Sequence, residues 1–131
     1  MNGKGKEFKN GKLFEGEYLD GKRWNGKGKE YYKGKLEFEG EYLKGKRNGK
    51  GKEYYKNDIL KFEGEYLIGK RIGKGKEYYY SGKLKFEGEY LNGKRYNGKG
   101  YNKNGIINFE IKNGNGKKEK EMVKEKILWK W

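Results

Sequence analysis

Apolar and polar residues alternate with a period of two in one stretch, Phe-Glu-Gly-Glu-Tyr-Leu, found at Phe14–Leu19, Phe38–Leu43, Phe62–Leu67 and Phe86–Leu91, each copy starting 24 residues after the last. A second phrase, Gly-Lys-Gly-Lys-Glu, fills Gly3–Glu7, Gly26–Glu30, Gly49–Glu53 and Gly73–Glu77, with a decayed form at Gly98–Tyr101. A fixed period in this range means stacked copies of one supersecondary unit. Two alternating runs separated by Gly, Lys and Asn predict a β-hairpin per copy. Asn10-Gly11, Ser81-Gly82 and Asn104-Gly105 offer a positive φ at the tight end, and the stretches around Gly21, Gly45, Gly69 and Gly93 read as longer loops at the other. The expectation is an all-β, elongated, single-layer, twisted antiparallel sheet over residues 1–116.

Period two also sorts the faces. Phe38, Gly40 and Tyr42 share one face with Gly26, Gly28, Glu30 and Tyr32. Glu39, Glu41 and Leu43 take the other, with Lys27, Lys29 and Tyr31. Rings therefore fall on the same face as glycines, and a ring can lie flat over a neighbouring backbone only where no side chain obstructs it. On the opposite face glutamates of one strand meet lysines of the next, pairs that fix register more than they stabilise. A lone hairpin buries too little apolar surface to offset its ordering entropy, so stability must come from stacked neighbours.

The fifth unit breaks the pattern, with Ile111 where the other copies carry glycine, as expected if no further ring lies there. Beyond it Val123, Ile127 and Trp131 fall at helical spacing. Residues 117–131 are expected to form a helical cap over the last sheet edge, the alternative being a final strand.

Composition narrows function. Of the 131 residues 31% are hydrophobic and 40% charged, with 24 glycines, 13 Tyr, 6 Phe, 3 Trp and a formal net charge of +15. Order by repetition, not a two-layer core, fits that balance. Cys, His and Pro are missing, so there is no disulfide framework, no Cys/His metal site and no Ser-His or Cys-His nucleophile. No apolar run is long enough to span a membrane and the N-terminal stretch lacks the apolar centre of a signal peptide, which points to a cytoplasmic protein, peripheral if it meets a membrane. Opening halfway through a repeat suggests a fragment.

Two catalytic-looking patterns fail on context. Gly21 to Lys27 and Gly93 to Lys99 match the start of a phosphate-binding loop but lack the following Ser or Thr and a helix. Glu39 and Glu41 resemble a glycosidase pair, yet the pair recurs four times opposite lysines. A non-enzymatic module without cofactor or metal is expected.

Phe-Glu-Gly-Glu-Tyr-Leu, the Gly-Lys-bearing loop and the Gly-x-Gly strand together resemble the MORN repeat. The resemblance covers about Gly3 to Gly116. Tyr18, Tyr42, Tyr66 and Tyr90 stand where the family commonly has Trp, and the doubled Tyr31-Tyr32 and Tyr54-Tyr55 resemble a bacterial variant of the repeat. It implies a scaffold or interaction module, in some members self-associating, and binding of acidic phospholipid.

Two candidate surfaces follow. Phe38, Tyr42, Phe62, Tyr66, Phe86 and Tyr90, with Tyr32 and Tyr55, are expected to line an aromatic groove for a protein partner, a second copy or, less readily, a sugar chain. Lys22, Arg23, Lys46, Arg47, Lys70, Arg71, Lys94 and Arg95 are expected to form a rim of doubled positive charges about 10 Å apart, two strand spacings. That is close to the Debye length of ~8 Å at physiological salt. Acidic phospholipid is the alternative partner, with nucleic acid below it for want of a base-reading motif.

Overall fold

The computed structural model describes residues 3–9, 11–19 and 22–118. Its described part is one open antiparallel sheet of eleven strands in sequence order, with no helix. The strands are β1 (Gly3–Lys9), β2 (Lys12–Leu19), β3 (Lys22–Tyr32), β4 (Lys35–Leu43), β5 (Lys46–Tyr54), β6 (Leu60–Leu67), β7 (Lys70–Tyr78), β8 (Leu84–Leu91), β9 (Lys94–Tyr101), β10 (Ile107–Lys112) and β11 (Asn115–Lys118). Lys117 and Lys118 complete β11; the rest of the expected C-terminal cap lies outside the described residues.

The first two hairpins are tight where expected, Lys9 pairing with Lys12 and Tyr32 with Lys35, but elsewhere the turns reverse the expected lengths. Lys44-Gly45, Ile68-Gly69 and Asn92-Gly93 are two-residue connections with positive φ at both positions (49° and 84°, 48° and 83°, 52° and 83°). That is the type I′ pattern, whose twist matches that of the flanking strands. At the opposite end Tyr79–Lys83 forms a wider turn, closed by Tyr79 N–H to Lys83 O and Gly82 N–H to Tyr79 O, both 2.8 Å, and Asn102–Ile106 repeats it. The Gly-Lys-Arg segments are therefore not loops. Lys46 and Arg47 open β5, Lys70 and Arg71 open β7, and Lys94 and Arg95 open β9.

Length differences between copies are absorbed partly in these turns and partly inside the strands. Gly40 pairs with Gly51 but Tyr42 pairs with Arg47, so β5 bulges between Arg47 and Gly51; in the first copy Gly16 pairs with Gly28 and Tyr18 with Arg23. Successive turns are also tied together, Gly69 N–H to Arg47 O at 2.8 Å and Gly93 N–H to Arg71 O at 3.0 Å. At the other rim the Tyr55 hydroxyl donates to Tyr78 O at 2.7 Å and that of Tyr79 to Tyr101 O at 2.6 Å.

The core is a single row of rings on one face. Phe14, Phe38, Phe62 and Phe86 are 0–1% exposed and Tyr42, Tyr66 and Tyr90 3–5%. Phe38 meets Tyr42 and Tyr66 edge-on, with centroids 5.8 and 5.3 Å apart, and Phe62 meets Tyr66 and Tyr90 at 5.8 and 5.2 Å. Glycine makes this possible: a Cβ at Gly51 would lie 2.6 Å from the Phe38 ring and 2.9 Å from that of Tyr66. Ile111 takes the position opposite Gly98 and packs, partly buried, on the end of the cluster.

Candidate functional site

A one-layer core needs a cover on its open side, and arginine supplies it. Arg47 and Arg71 place their guanidinium carbons 4.0 Å above the rings of Phe38 and Phe62, and Arg95 lies 4.6 Å above Phe86. Each is held by the glutamate that ends a Gly-Lys-Gly-Lys-Glu phrase: Arg47 Nε donates to Glu30 Oε2 at 2.9 Å, Arg71 Nε to Glu53 at 3.0 Å, and Arg95 to both oxygens of Glu77 at 2.7 and 2.9 Å. The hydroxyls of Tyr42, Tyr66 and Tyr90 donate to the same three carboxylates. Arginine suits this place because its planar, weakly hydrated head stacks and pairs at once.

The ionisation of these groups follows the geometry. Burial, and then the adjoining carboxylate, pushes the phenols of Tyr42, Tyr66 and Tyr90 far above the ordinary value. Burial acts to raise Glu77, but hydrogen bonds from Arg95 and Tyr90 outweigh it and hold its carboxyl below the usual range.

Both expected surfaces change accordingly. Phe38, Tyr42, Phe62, Tyr66, Phe86 and Tyr90 have almost no exposed area, because neighbouring rings cover them and, among the described residues, arginine lies over all but Tyr42; they are the interior and line no groove. Tyr32 and Tyr55 are half-buried at the wide-turn rim, where the Tyr55 hydroxyl is already bonded to the next repeat. The rim of doubled charge becomes single. Arg47, Arg71 and Arg95 are only 22–27% exposed in their side chains and are neutralised by glutamate, whereas Lys46, Lys70 and Lys94 are exposed. The side chains of Lys22 and Arg23 lie outside the described residues.

What the rim does present is a column of leucine and lysine. Leu43 pairs directly with Lys46, Leu67 with Lys70 and Leu91 with Lys94. The leucines are 42–52% exposed and Ile68, at a turn tip, 62%. Directly paired residues project from the same face, so apolar and cationic groups alternate along this edge.

A groove does exist, on the face away from the rings. One row of charges crosses all eleven strands with strict alternation: Lys6, Glu15, Lys29, Glu39, Lys52, Glu63, Lys76, Glu87, Lys99, Glu110 and Lys117, each in register with the next. A second, broken row holds the pairs Lys4–Glu17, Lys27–Glu41, Lys50–Glu65 and Lys74–Glu89. Between the rows the floor is bare glycine backbone. Two adjoining hollows of about 710 and 920 Å³ follow it, one over Gly51, Gly64, Gly75 and Gly88 and one over Gly5, Gly16, Gly28 and Gly40. Tyr54, Tyr78 and Tyr101 stand beside the first row and donate to Glu39, Glu63 and Glu87 at 2.7, 2.7 and 3.0 Å. Burial, then the bond to the carboxylate, raises the phenols of Tyr54 and Tyr78 to about 12.

Among the described residues no three acidic, His or Cys side chains converge on a possible metal position. Neither a known family model nor a curated protein matches this chain.

Proposed function

We propose that this protein is a non-enzymatic MORN-type repeat scaffold that holds a protein partner, or a second copy of itself, along the charged groove opposite its rings. The supporting observation is the unbroken lysine–glutamate row with its glycine floor, a linear surface whose like charges recur about every 10 Å, two strand spacings. A surface of this kind selects register by charge complementarity more than it supplies raw affinity. Capture from lysate and light scattering, at low and high salt, test the reading with the wild type and with Lys52→Glu/Lys76→Glu. Partner or self-association that is lost in the variant and weakened by salt supports it. A strict monomer that retains nothing at either ionic strength contradicts it.

The Leu–Lys column favours a second reading, docking on acidic phospholipid through the type I′ rim. Leucines entering the headgroup boundary and lysines meeting anionic heads act together in peripheral binding. Cosedimentation with phosphatidylserine vesicles tests it: binding that falls in Leu67→Ser/Leu91→Ser and in Lys70→Glu/Lys94→Glu supports the reading, and binding unchanged by either excludes the rim.

A further inference from the structure

At the end of the strands away from the leucine rim, two kinds of turn meet. Lys33-Gly34 is a two-residue connection with positive φ at both positions (50° and 78°), whereas Tyr55–Ile59 is a wide turn closed by Tyr55 N–H to Ile59 O at 2.9 Å. The wide turn is drawn onto the next repeat, the Tyr55 hydroxyl reaching Tyr78 O at 2.7 Å and Asn57 Nδ2 donating to Tyr80 O at 3.1 Å. Tyr32 goes the other way. Its ring comes within 3.3 Å of where a Cβ on Gly11, in the preceding turn, would lie. The diverging rings leave a hollow of about 210 Å³ between them, lined by Tyr32, Leu36, Tyr54 and Tyr55.

Lysine surrounds that hollow. Lys33, Lys35 and Lys56, all exposed, complete its lining together with Glu37. Glu37 is engaged by Lys12 at 3.2 Å and Lys35 by Asp58 at 3.7 Å, which leaves Lys33 and Lys56 to meet an anion. A lysine set over a tyrosine also recurs along this end of the sheet: the ammonium groups of Lys33, Lys61 and Lys85 lie 5.3, 5.6 and 5.6 Å from the ring centres of Tyr32, Tyr55 and Tyr79, within reach of cation–π attraction. Ring and cation are thus offered side by side, once per repeat.

We propose that this end of the sheet binds single-stranded nucleic acid, one base entering the hollow between Tyr32 and Tyr55 while its phosphates meet Lys33 and Lys56. Bases of any sequence stack on aromatic side chains, and a basic surface tracks the backbone that joins them. Lys33 rides on a flexible stem, so an arriving base takes the Tyr32 ring face as the ammonium turns to phosphate. Charge favours the same partner. The formal net charge of the chain is +15, and neutralising a nucleic-acid backbone releases its counterions. A polyanion without bases would use the lysines and leave the hollow empty. None of the residues lining this hollow lines the glycine-floored groove, so the site stands apart from the proposed scaffold surface.

Fluorescence anisotropy of the full chain with a labelled oligodeoxythymidylate of about 12 nucleotides, and inorganic polyphosphate as the base-free competitor, tests it. The oligonucleotide is expected to bind, and polyphosphate of equal charge to displace it poorly. Tyr32→Leu should weaken binding about tenfold, the order of one lost base stack, while Tyr32→Trp retains it. Lys33→Gln/Lys56→Gln should make the slope of log affinity against log salt shallower by about 1.4, two single-strand phosphate contacts, each variant keeping its fold by circular dichroism. Displacement by polyphosphate charge for charge, binding unchanged in Tyr32→Leu, a salt slope unchanged in the lysine variant, or no binding at about 50 mM salt overturns the proposal.

Discussion

The Arg71 guanidinium carbon lies 4.0 Å above the centre of the Phe62 ring while its Nε donates to Glu53 at 3.0 Å. One residue thus roofs the core and discharges a carboxylate that has left bulk water. Arg71→Ala should cost about 1–3 kcal/mol, the range for losing a hydrogen bond to a charged group, at the lower end because the site is partly solvated. Arg71→Lys should recover only part of it, since an ammonium neither stacks nor forks. Urea denaturation of Arg71→Ala, Glu53→Gln and the double variant checks this: non-additive losses are expected, and strictly additive ones mean the pair does not act as a unit.

Alkaline pH should unfold the sheet in a defined window. Tyr54 and Tyr78 have phenols raised to about 12 in the folded state, against about 10 when unfolded. A raised folded value contributes stability that is complete below about pH 10 and is lost as pH climbs towards 12. Tyrosinate absorbance followed with circular dichroism should show ionisation and unfolding together. Tyr54→Phe/Tyr78→Phe should weaken the pH dependence between those limits.

Acid acts in the opposite sense at Glu77, whose carboxyl is held low by Arg95 and Tyr90 despite its burial. A depressed folded value contributes stability above the ordinary carboxylate pKa of about 4.3 and loses it as pH falls through the folded value. Glu77→Gln should flatten the acid limb of a stability profile below about pH 4 while lowering stability at neutral pH.

Register on the charged face can be tested by inversion. Lys52→Glu sets a carboxylate between Glu39 and Glu63 and should cost about 0.5–2 kcal/mol, two cross-strand pairs lost and made repulsive. Adding Glu63→Lys mends the contact between those two positions but sets a second lysine against Lys76, so it should recover little of the melting temperature.

The strand order, the two faces and the ring-over-glycine arrangement were all legible in the sequence, because a period of two and a period of 24 leave one consistent pairing of Gly40 with Gly51 and Glu39 with Lys52. Arg47 was not. Its neighbours Gly45 and Lys46 read as loop, and only the type I′ turn at Lys44-Gly45 brings it into β5 and over Phe38. A signal was present nonetheless: Arg occurs at one position per copy while lysine fills nearly every other basic site, as expected of a place that needs a stacking, forked cation. The groove was missed for a related reason. Glycine was read for what it allows on the ring face, and the same missing side chains leave a channel between the lysine and glutamate rows on the other.

Equilibrium unfolding of Gly51→Ala beside Gly116→Ala addresses most directly the claim that rings lying on bare backbone hold this single layer together. A methyl at Gly51 falls 2.6 Å from the Phe38 ring, whereas at Gly116 the nearest atom, Ile111 Cγ1, is 3.8 Å away. The expected result is a loss of about 1–3 kcal/mol for Gly51→Ala, the usual cost of overpacking, with Gly116→Ala close to wild type. Equal stability of the two variants would contradict the account.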